Sequence, residues 1–337
     1  VKARVKAHAL REFMMSKDKV VVMGHKISDA DAIGAAIGIY RAAKSLNKKA
    51  HIVVNNPTMS VRPVIERFKD NADYEHDMFV DSNQAMDIVD SNTVVVVVDV
   101  NKPSYTECEE LLHQTKTIVV LDHHRQGSEV IQNAVLSYIE PYASSSCEMV
   151  AEILQYFGDD IKIYNIEADA LYSGIMIDTN NFTSKTGVRT FEAAAFLRRC
   201  GADVTRVRKM FRDDVDSYRA KAEAIRSVET YRNVFALAVC PSEGLDSPTV
   251  IASQAANELL NVSSVKASFV LTDYQNKIYI SARAIDEVNV QIIMERLGGG
   301  GHINMAGAQI PGVSTETAMR QLKETLDKMI KEGDIEV

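Results

Sequence analysis

The feature that narrows the fold most is a run of five consecutive valines, Val94 to Val98, ending in Asp99. Branching at Cβ disfavours a helix, and a strand without polar alternation has no face to give to water. Such a strand belongs in the middle of a parallel sheet that helices cover on both sides. Three more short apolar runs fit the same sheet, at residues 20–23, 51–54 and 118–121. Helical patterns lie between and after them, including residues 31–44 (DAIGAAIGIYRAAK), whose small side chains allow close packing, and residues 144–157, with serines at the start. Strands alternating with helices predict an α/β domain with a doubly wound, mostly parallel sheet.

At 337 residues the chain exceeds what one core usually organises, so two domains are expected. The first is read as residues 1–190, with a lead-in helix over 1–17. A helical, densely charged linker comes next over 191–228, either a solvated helix pair or a phosphate-binding face. Residues 229–337 read as a smaller α+β domain, with strands near 234–239, 265–271 and 277–284 and helices near 252–260, 288–297 and 314–332. A hydrophobic fraction of 46% and a charged fraction of 25% are those of a globular protein. Lys+Arg 38 against Asp+Glu 46 leaves a net charge of −8, which argues against a general nucleic-acid coat but not against a local basic pocket. Cys108, Cys147, Cys200 and Cys240 show no CxxC spacing and read as reduced thiols rather than a zinc site or a disulfide scaffold. No apolar run is long enough to span a bilayer. The chain opens at Val1, without methionine, directly in a helical pattern, and reads as a portion of something longer.

Each apolar run gives way to acidic residues. After residues 20–23 comes Gly24-His25-Lys26-Ile27-Ser28-Asp29-Ala30-Asp31, and after the valines comes Asp99. After 118–121 comes Asp122-His123-His124, and the later apolar run 171–177 ends in Asp178. Ligands of a doubly wound sheet bind outside the carboxyl ends of its strands, where the strand order switches. Those ends would bring five aspartates and three histidines to one rim. Singly, each has an ordinary explanation, such as a loop histidine or a helix-capping aspartate. Collectively, five carboxylates repel one another and raise one another's pKa values unless cations sit among them. Carboxylate and imidazole without thiolate suit Mn²⁺, Mg²⁺ or Fe²⁺. One ion cannot use so many ligands, so two ions sharing a carboxylate are expected, the usual apparatus of in-line displacement at phosphorus.

These residues resemble the four motifs of the DHH phosphoesterase superfamily: His25-x-x-x-Asp29-x-Asp31, Asp99, Asp122-His123-His124 and Asp178. The superfamily includes RecJ-type exonucleases, family II pyrophosphatases, oligoribonucleases and cyclic-dinucleotide phosphodiesterases. The resemblance implies His25, Asp29 and Asp99 on one Mn²⁺ and Asp31, Asp99, His123 and Asp178 on a second, with Asp99 bridging. It implies that Asp122 orients a ligand and that His124 meets the scissile phosphate as a donor or proton relay.

Gly298 to Gly301 hold four of the sixteen glycines and run into His302. Such a loop lets backbone N–H groups approach a phosphate or base, and the small-residue run behind it reads as a packed helix start. It resembles the GGGH motif of the DHHA1 domain, the substrate-binding partner of a DHH domain, with the two facing each other across the active-site cleft. Ser281-Ala282-Arg283 and Asn289-Val290 fit that domain as well. As a bare feature Arg283 is an ordinary strand-end cation. The resemblance makes it a phosphate or base contact, beside Gly299, Gly300, Gly301 and His302.

For the substrate, HKISDADAIG, DHHRQG and the run Tyr138 to Glu148 (YIEPYASSSCE) are similar to the membrane-anchored cyclic-di-AMP phosphodiesterases of the GdpP type. That similarity implies hydrolysis of cyclic di-AMP to linear pApA by two-metal, in-line attack of a bridging hydroxide. It implies two Mn²⁺ per subunit, with Mg²⁺ or Fe²⁺ also compatible, and a homodimer. It further implies upstream membrane-anchored sensory domains, with the catalytic part at the cytoplasmic face of the membrane. Ser145 and Ser146 either bind the non-scissile phosphate or simply cap their helix. The alternative activity is that of an oligoribonuclease or pAp phosphatase on short linear nucleotides. A long polymer track suits the net charge poorly, and a binding-only sensor would not keep every motif position filled.

Overall fold

The computed structural model describes residues 2–285 and 287–337; Val1, at the start of the expected lead-in helix, lies outside the described residues. The chain divides into two compact units, Val1–Arg212 and Asp213–Val337.

The first unit is built on six parallel strands, β1 (Lys19–Met23), β2 (Lys49–Val53), β3 (Phe79–Val80), β4 (Thr93–Val98), β5 (Thr117–Asp122) and β6 (Leu136–Ile139). Their spatial order is β3-β2-β1-β4-β5-β6, so the sheet is wound outward in both directions from β1 and β4. The helices are α1 (Lys2–Met15), α2 (Ala30–Ser45), α3 (Arg62–Lys69), α4 (Ser82–Ile88), α5 (Ser146–Phe157), α6 (Asn165–Asp178), α7 (Val188–Arg199) and α8 (Val204–Met210).

The valine run behaves as its composition requires. Val94, Val96 and Val98 pack into one core with residues of α2, α5 and α6. Val95 and Val97 enter a second core on the opposite face, with Val21, Met23, Ile118 and Val120. All five are wholly buried, and each side chain so buried contributes about 1.5–3 kcal/mol before conformational entropy is counted.

The second unit starts with α9 (Val215–Arg226) and carries a mixed sheet of β7 (Glu229–Tyr231), β8 (Phe235–Val239), β9 (Ala267–Tyr274), β10 (Lys277–Ala284), β11 (Gly300–His302) and β12 (Met305–Pro311). Its order is β11-β12-β10-β9-β8-β7, antiparallel except between β8 and β9. Helices α10 (Pro248–Leu259), α11 (Val290–Arg296) and α12 (Thr315–Glu332) complete it. Residues of α11 and α12 join Phe235, Phe269 and Ile280 in one core, and residues of α9 and α10 join Ala236, Ala238 and Val270 in another.

The α/β class with a smaller second domain is as the sequence predicts, and three local readings change. The apolar run 171–177 is helical, inside α6, so Asp178 is delivered by a helix end and not by a strand. The small-residue segment after His302 is the strand β12 rather than a helix start, and Gly300 to His302 pair with it. The unit boundary falls inside residues 191–228, with α7 and α8 in the first unit and α9 in the second. Among the described residues no helix is long and apolar enough to cross a membrane, and all four cysteines are free thiols.

Candidate metal centre

β1 and β4 are neighbours that pair in parallel, Met23 opposite Val97, and the strand order reverses between them. Chain leaving both carboxyl ends therefore enters one crevice. After β1 the backbone is tied down at once: His25 bridges Thr106, Lys26 N donates to Tyr105 O (2.7 Å) and Glu107 N to Gly24 O (2.9 Å). Asp29 then caps α2, its Oδ1 accepting from Ala32 N at 2.9 Å, which leaves Asp31 in the first turn and fully buried. After β4, Asp99 adopts a left-handed backbone (φ +62°), strained for any residue but glycine and tolerated best by asparagine and aspartate.

Asp99 lies between two histidines. Its Oδ2 is 3.3 Å from His25 Nε2, and its Oδ1 is 3.3 Å from His123 Nε2. His25 Nε2 is also 3.5 Å from Asp29 Oδ1. His123 Nε2 is 3.5 Å from Asp31 Oδ2 and 3.4 Å from Asp178 Oδ2. Two groups result, His25–Asp29–Asp99 and Asp31–His123–Asp178, with a third, Asp99–His123–His124, joining them. α6 comes close enough to supply Asp178 because Gly174 has no side chain: a Cβ there would fall 2.3 Å from Cys147 Sγ and 3.0 Å from Asp31 Cα.

The residues fit divalent cations. His123 Nε2 is buried, has no hydrogen-bond partner among the described residues, and is surrounded by three carboxylates. A nitrogen lone pair converging with carboxylate oxygens is the donor arrangement a hard or borderline cation takes. His25 points the same way, since its Nδ1 donates to the Lys26 carbonyl (2.8 Å) and leaves Nε2 as the lone-pair atom of the neutral ring.

The electrostatics of the metal-free cluster disfavour bare charge on most of its carboxylates. Burial, then the neighbouring Asp99, pushes Asp31 well above the usual carboxylate range. Burial and the Asp31 charge do the same to Asp178, and burial with Asp29 raises Asp99. Asp29 stays low although burial opposes it, because the His25 imidazole hydrogen-bonds it. Burial would lower His25, but bonds to Asp29 and Asp99 outweigh it and raise it to about 11. Burial keeps His123 below its ordinary value, in the neutral form that binds metal.

A supporting layer holds the ligands. Asp31 Oδ2 accepts from Ser146 N (2.9 Å) and Oδ1 from Cys147 N (2.8 Å), the first two N–H groups of α5. Ser146 Oγ donates to Asp99 Oδ1 at 3.0 Å. Asp122 lies outside the three ligand groups. Its Oδ1 accepts from the His123 and His124 backbone N–H groups (2.8 and 3.2 Å) and from His124 Nδ1 (2.7 Å), and its Oδ2 from Asn101 Nδ2 (2.8 Å). Burial opposes it, yet that carboxylate raises His124 to about 9. His25, Asp29, Asp99, Asp122 and His124 line a cavity of about 840 Å³.

Residues 19–175 match the N-terminal domain of the DHH family, and residues 233–332 match the DHHA1 domain. The chain belongs to the DHH family. It is 43% identical over 99% of its length to the cyclic-di-AMP phosphodiesterase GdpP of Bacillus subtilis (strain 168), covering 51% of that protein. It is 40% identical over 97% of its length to the cyclic-di-AMP phosphodiesterase PdeA of Listeria monocytogenes, covering 50% of it. The chain thus spans about half the length of the curated relatives it matches. An exopolyphosphatase-related protein from Bacteroides fragilis shares the fold, with a TM-score of 0.80 at 20% identity over 96% of both chains.

In the DHHA1 unit, Arg283 on β10 lies opposite Met305 of β12, and Met305 lies opposite His302 of β11. Side chains directly opposite across antiparallel strands share a face, so Arg283 and His302 project from the same side of the sheet. Arg283 Nη1 donates to Ala282 O (2.9 Å), and its Nε is buried without a partner among the described residues. Burial lowers its pKa to about 10. Gly299 and Gly301 lie against the β12 backbone: a Cβ would fall 2.0 Å from Gly307 O at the first and 2.5 Å from Met305 O at the second. Only Gly300, of these three, has open space at that position.

Ser145 and Ser146 are placed differently from the phosphate-binding expectation. Ser145 Oγ accepts from Glu148 N (3.1 Å) as the cap of α5, and Ser146 Oγ is engaged with Asp99. Both are fully buried, so neither hydroxyl is presented to a ligand. Sequence reasoning finds the helix start in these serines and misses the carboxylate partner of Ser146, which is more than forty positions distant; Asn101, two residues past Asp99, carries no signal at all. Removing the Ser146 hydroxyl (Ser146→Ala) is expected to weaken Mn²⁺ affinity by about 10- to 100-fold with the melting temperature nearly unchanged, read by metal titration and thermal unfolding. Unaltered affinity would show that the Asp99 carboxylate needs no support from α5.

Proposed function

We propose that this chain is the catalytic portion of a metal-dependent phosphodiesterase that opens one 3′–5′ phosphodiester of cyclic di-AMP to give linear pApA. The observation that carries the reading is the Asp99 carboxylate, which turns one oxygen to His25 and the other to His123, 3.3 Å in each case. The identity to two cyclic-di-AMP phosphodiesterases across nearly the whole chain supports the substrate. Two ions are proposed, one on His25, Asp29 and Asp99, the other on Asp31, Asp99, His123 and Asp178, with Mn²⁺ the ion that the family resemblance suggests. Bound there, divalent ions supply a nucleophilic water at neutral pH and neutralise charge on the phosphoryl oxygens. Two of them would bring the formal charge from −8 to −4.

The protein's own groups do the rest. The water oxygen bonds to phosphorus as the P–O3′ bond breaks, and the leaving 3′-oxygen takes up a proton. His124 is suited to deliver it, because Asp122 holds its Nδ1–H and keeps the ring protonated near neutral pH. Arg283, His302 and the backbone of Gly299 to Gly301 are proposed to hold the second nucleotide, the guanidinium matching phosphate oxygens. A homodimer, and a place behind upstream sensory domains at the cytoplasmic face of a membrane, belong to the same proposal.

Incubation with Mn²⁺ and cyclic di-AMP is expected to yield pApA as the first product resolved by chromatography. Faster turnover of pApA or pAp than of the cyclic substrate would instead assign the chain to linear nucleotides, as an oligoribonuclease or pAp phosphatase.

A further inference from the structure

We propose that Ile27 and Tyr105 form a platform that docks the nucleobase beside the phosphodiester under attack. The proposal rests on the phosphodiesterase reading above and names the residues that would hold the base there.

Ile27 lies between His25 and Asp29 and has a backbone φ of +56°, the one β-branched residue with positive φ among the described residues. That conformation is costly for a side chain branched at Cβ, and glycine or asparagine would adopt it with less strain. Packing does not compensate, since Ile27 is 77% exposed. An exposed apolar side chain held in strained backbone beside a functional cavity points to a ligand role. The loop is pinned on both sides of Ile27: Lys26 N donates to Tyr105 O (2.7 Å) and His25 bridges Thr106, while within the loop Ser28 Oγ donates to His25 O (3.0 Å).

The same bonds bring Tyr105 alongside. Tyr105 is 58% exposed, with the Lys102 ammonium 4.0 Å from its ring centroid. Ile27 and Tyr105 both line the cavity of about 840 Å³ that contains His25, Asp99 and His124. That volume lies in the range of small-molecule sites and is far more than a phosphate group needs. Lys26, Lys102 and Arg125 also line the cavity, with Glu129 pairing Lys102 at 3.6 Å. An apolar branched chain, an exposed aromatic ring and cations around anion-binding chemistry match a flat heterocycle tethered to a phosphate. Stacking on an aromatic ring is tolerant of base identity, so this platform sets affinity for a nucleotide over a bare sugar phosphate rather than adenine over guanine.

The test compares AMP with ribose 5-phosphate, which differ only in the base, by calorimetric titration of the Mn²⁺-loaded protein. The wild type should bind AMP more tightly by on the order of tenfold. Tyr105→Ala and Ile27→Gly should each shrink that ratio severalfold while ribose 5-phosphate binds as before. Ile27→Gly should also raise the melting temperature of the metal-free protein, because strain is released and little packing is lost. Equal wild-type affinities, an AMP ratio unmoved in both variants, or a lowered melting temperature in Ile27→Gly would each overturn the platform. Should cyclic di-AMP survive incubation while the AMP ratio collapses in the variants, the reaction assignment falls and the platform stands.

Discussion

Asp99→Asn is expected to leave the fold intact and to reduce cyclic-di-AMP hydrolysis by on the order of 10³-fold or more. Asparagine is the replacement that isolates charge from backbone, since Asp99 sits at φ +62° and asparagine tolerates that region where alanine would add strain. One oxygen remains available to accept from Ser146 Oγ, but the second carboxylate oxygen and the negative charge are gone. Both ligand groups lose that charge together, because the two oxygens serve opposite sides of the cluster. Metal content, measured on the purified variant, should fall with the rate. The melting temperature of the metal-free variant should hold or rise, because one of several mutually repelling buried carboxylates has been neutralised. Near-wild-type turnover with a full complement of metal would remove Asp99 from its bridging role.

Mn²⁺ is expected to raise the melting temperature of the DHH unit, and by more at pH 8 than at pH 5. The sign comes from the direction of the shifts. Asp31, Asp99 and Asp178 have folded pKa values above the ordinary one, so their contribution to stability is present below the unfolded pKa near 3.8 and is lost as pH rises through the folded values. As those protons leave, the metal-free cluster becomes a destabilising concentration of charge. His25 runs as a raised imidazole does: its contribution is complete below about 6.5 and is lost as pH rises through about 11. Cations replace these protons, so metal affinity increases with pH and uptake releases protons. At a hundredfold excess over the dissociation constant, each ion adds about 2.7 kcal/mol. Thermal scans at the two pH values, with EDTA reversal, measure the gain, and calorimetry in buffers of different ionisation enthalpy counts the protons. A gain independent of pH would mean that the ions bind elsewhere.

How much of the molecule is legible in its sequence depends on how local each signal is. The valines of β4 specify their environment on their own, because five β-branched apolar residues leave no solvent face. His25, Asp29, Asp31, Asp99 and His123 are legible as a group because each comes just after a buried strand, and parallel strands end on the same side. Asp178 is legible as an aspartate but not as the end of a helix, since a short apolar run is ambiguous between strand and helix until its partners are known. The glycine run reads as one ligand loop; Gly299 and Gly301 turn out to be required by β12, whose backbone would collide with any Cβ.

The sequence by itself determined the fold class, the two-part organisation and the residue types gathered at the strand ends, because periodicity, chain length and strand direction are properties of the chain alone. Only the tertiary structure decided which oxygen of Asp99 faces which histidine, that α5 turns its first N–H groups on Asp31, that Ser146 supports Asp99 instead of meeting solvent, and that Ile27 is held strained and exposed beside Tyr105. Those are contacts between segments tens of residues apart, governed by how helices seat on a sheet to within an ångström, and no local pattern of amino acids encodes a distance of that kind.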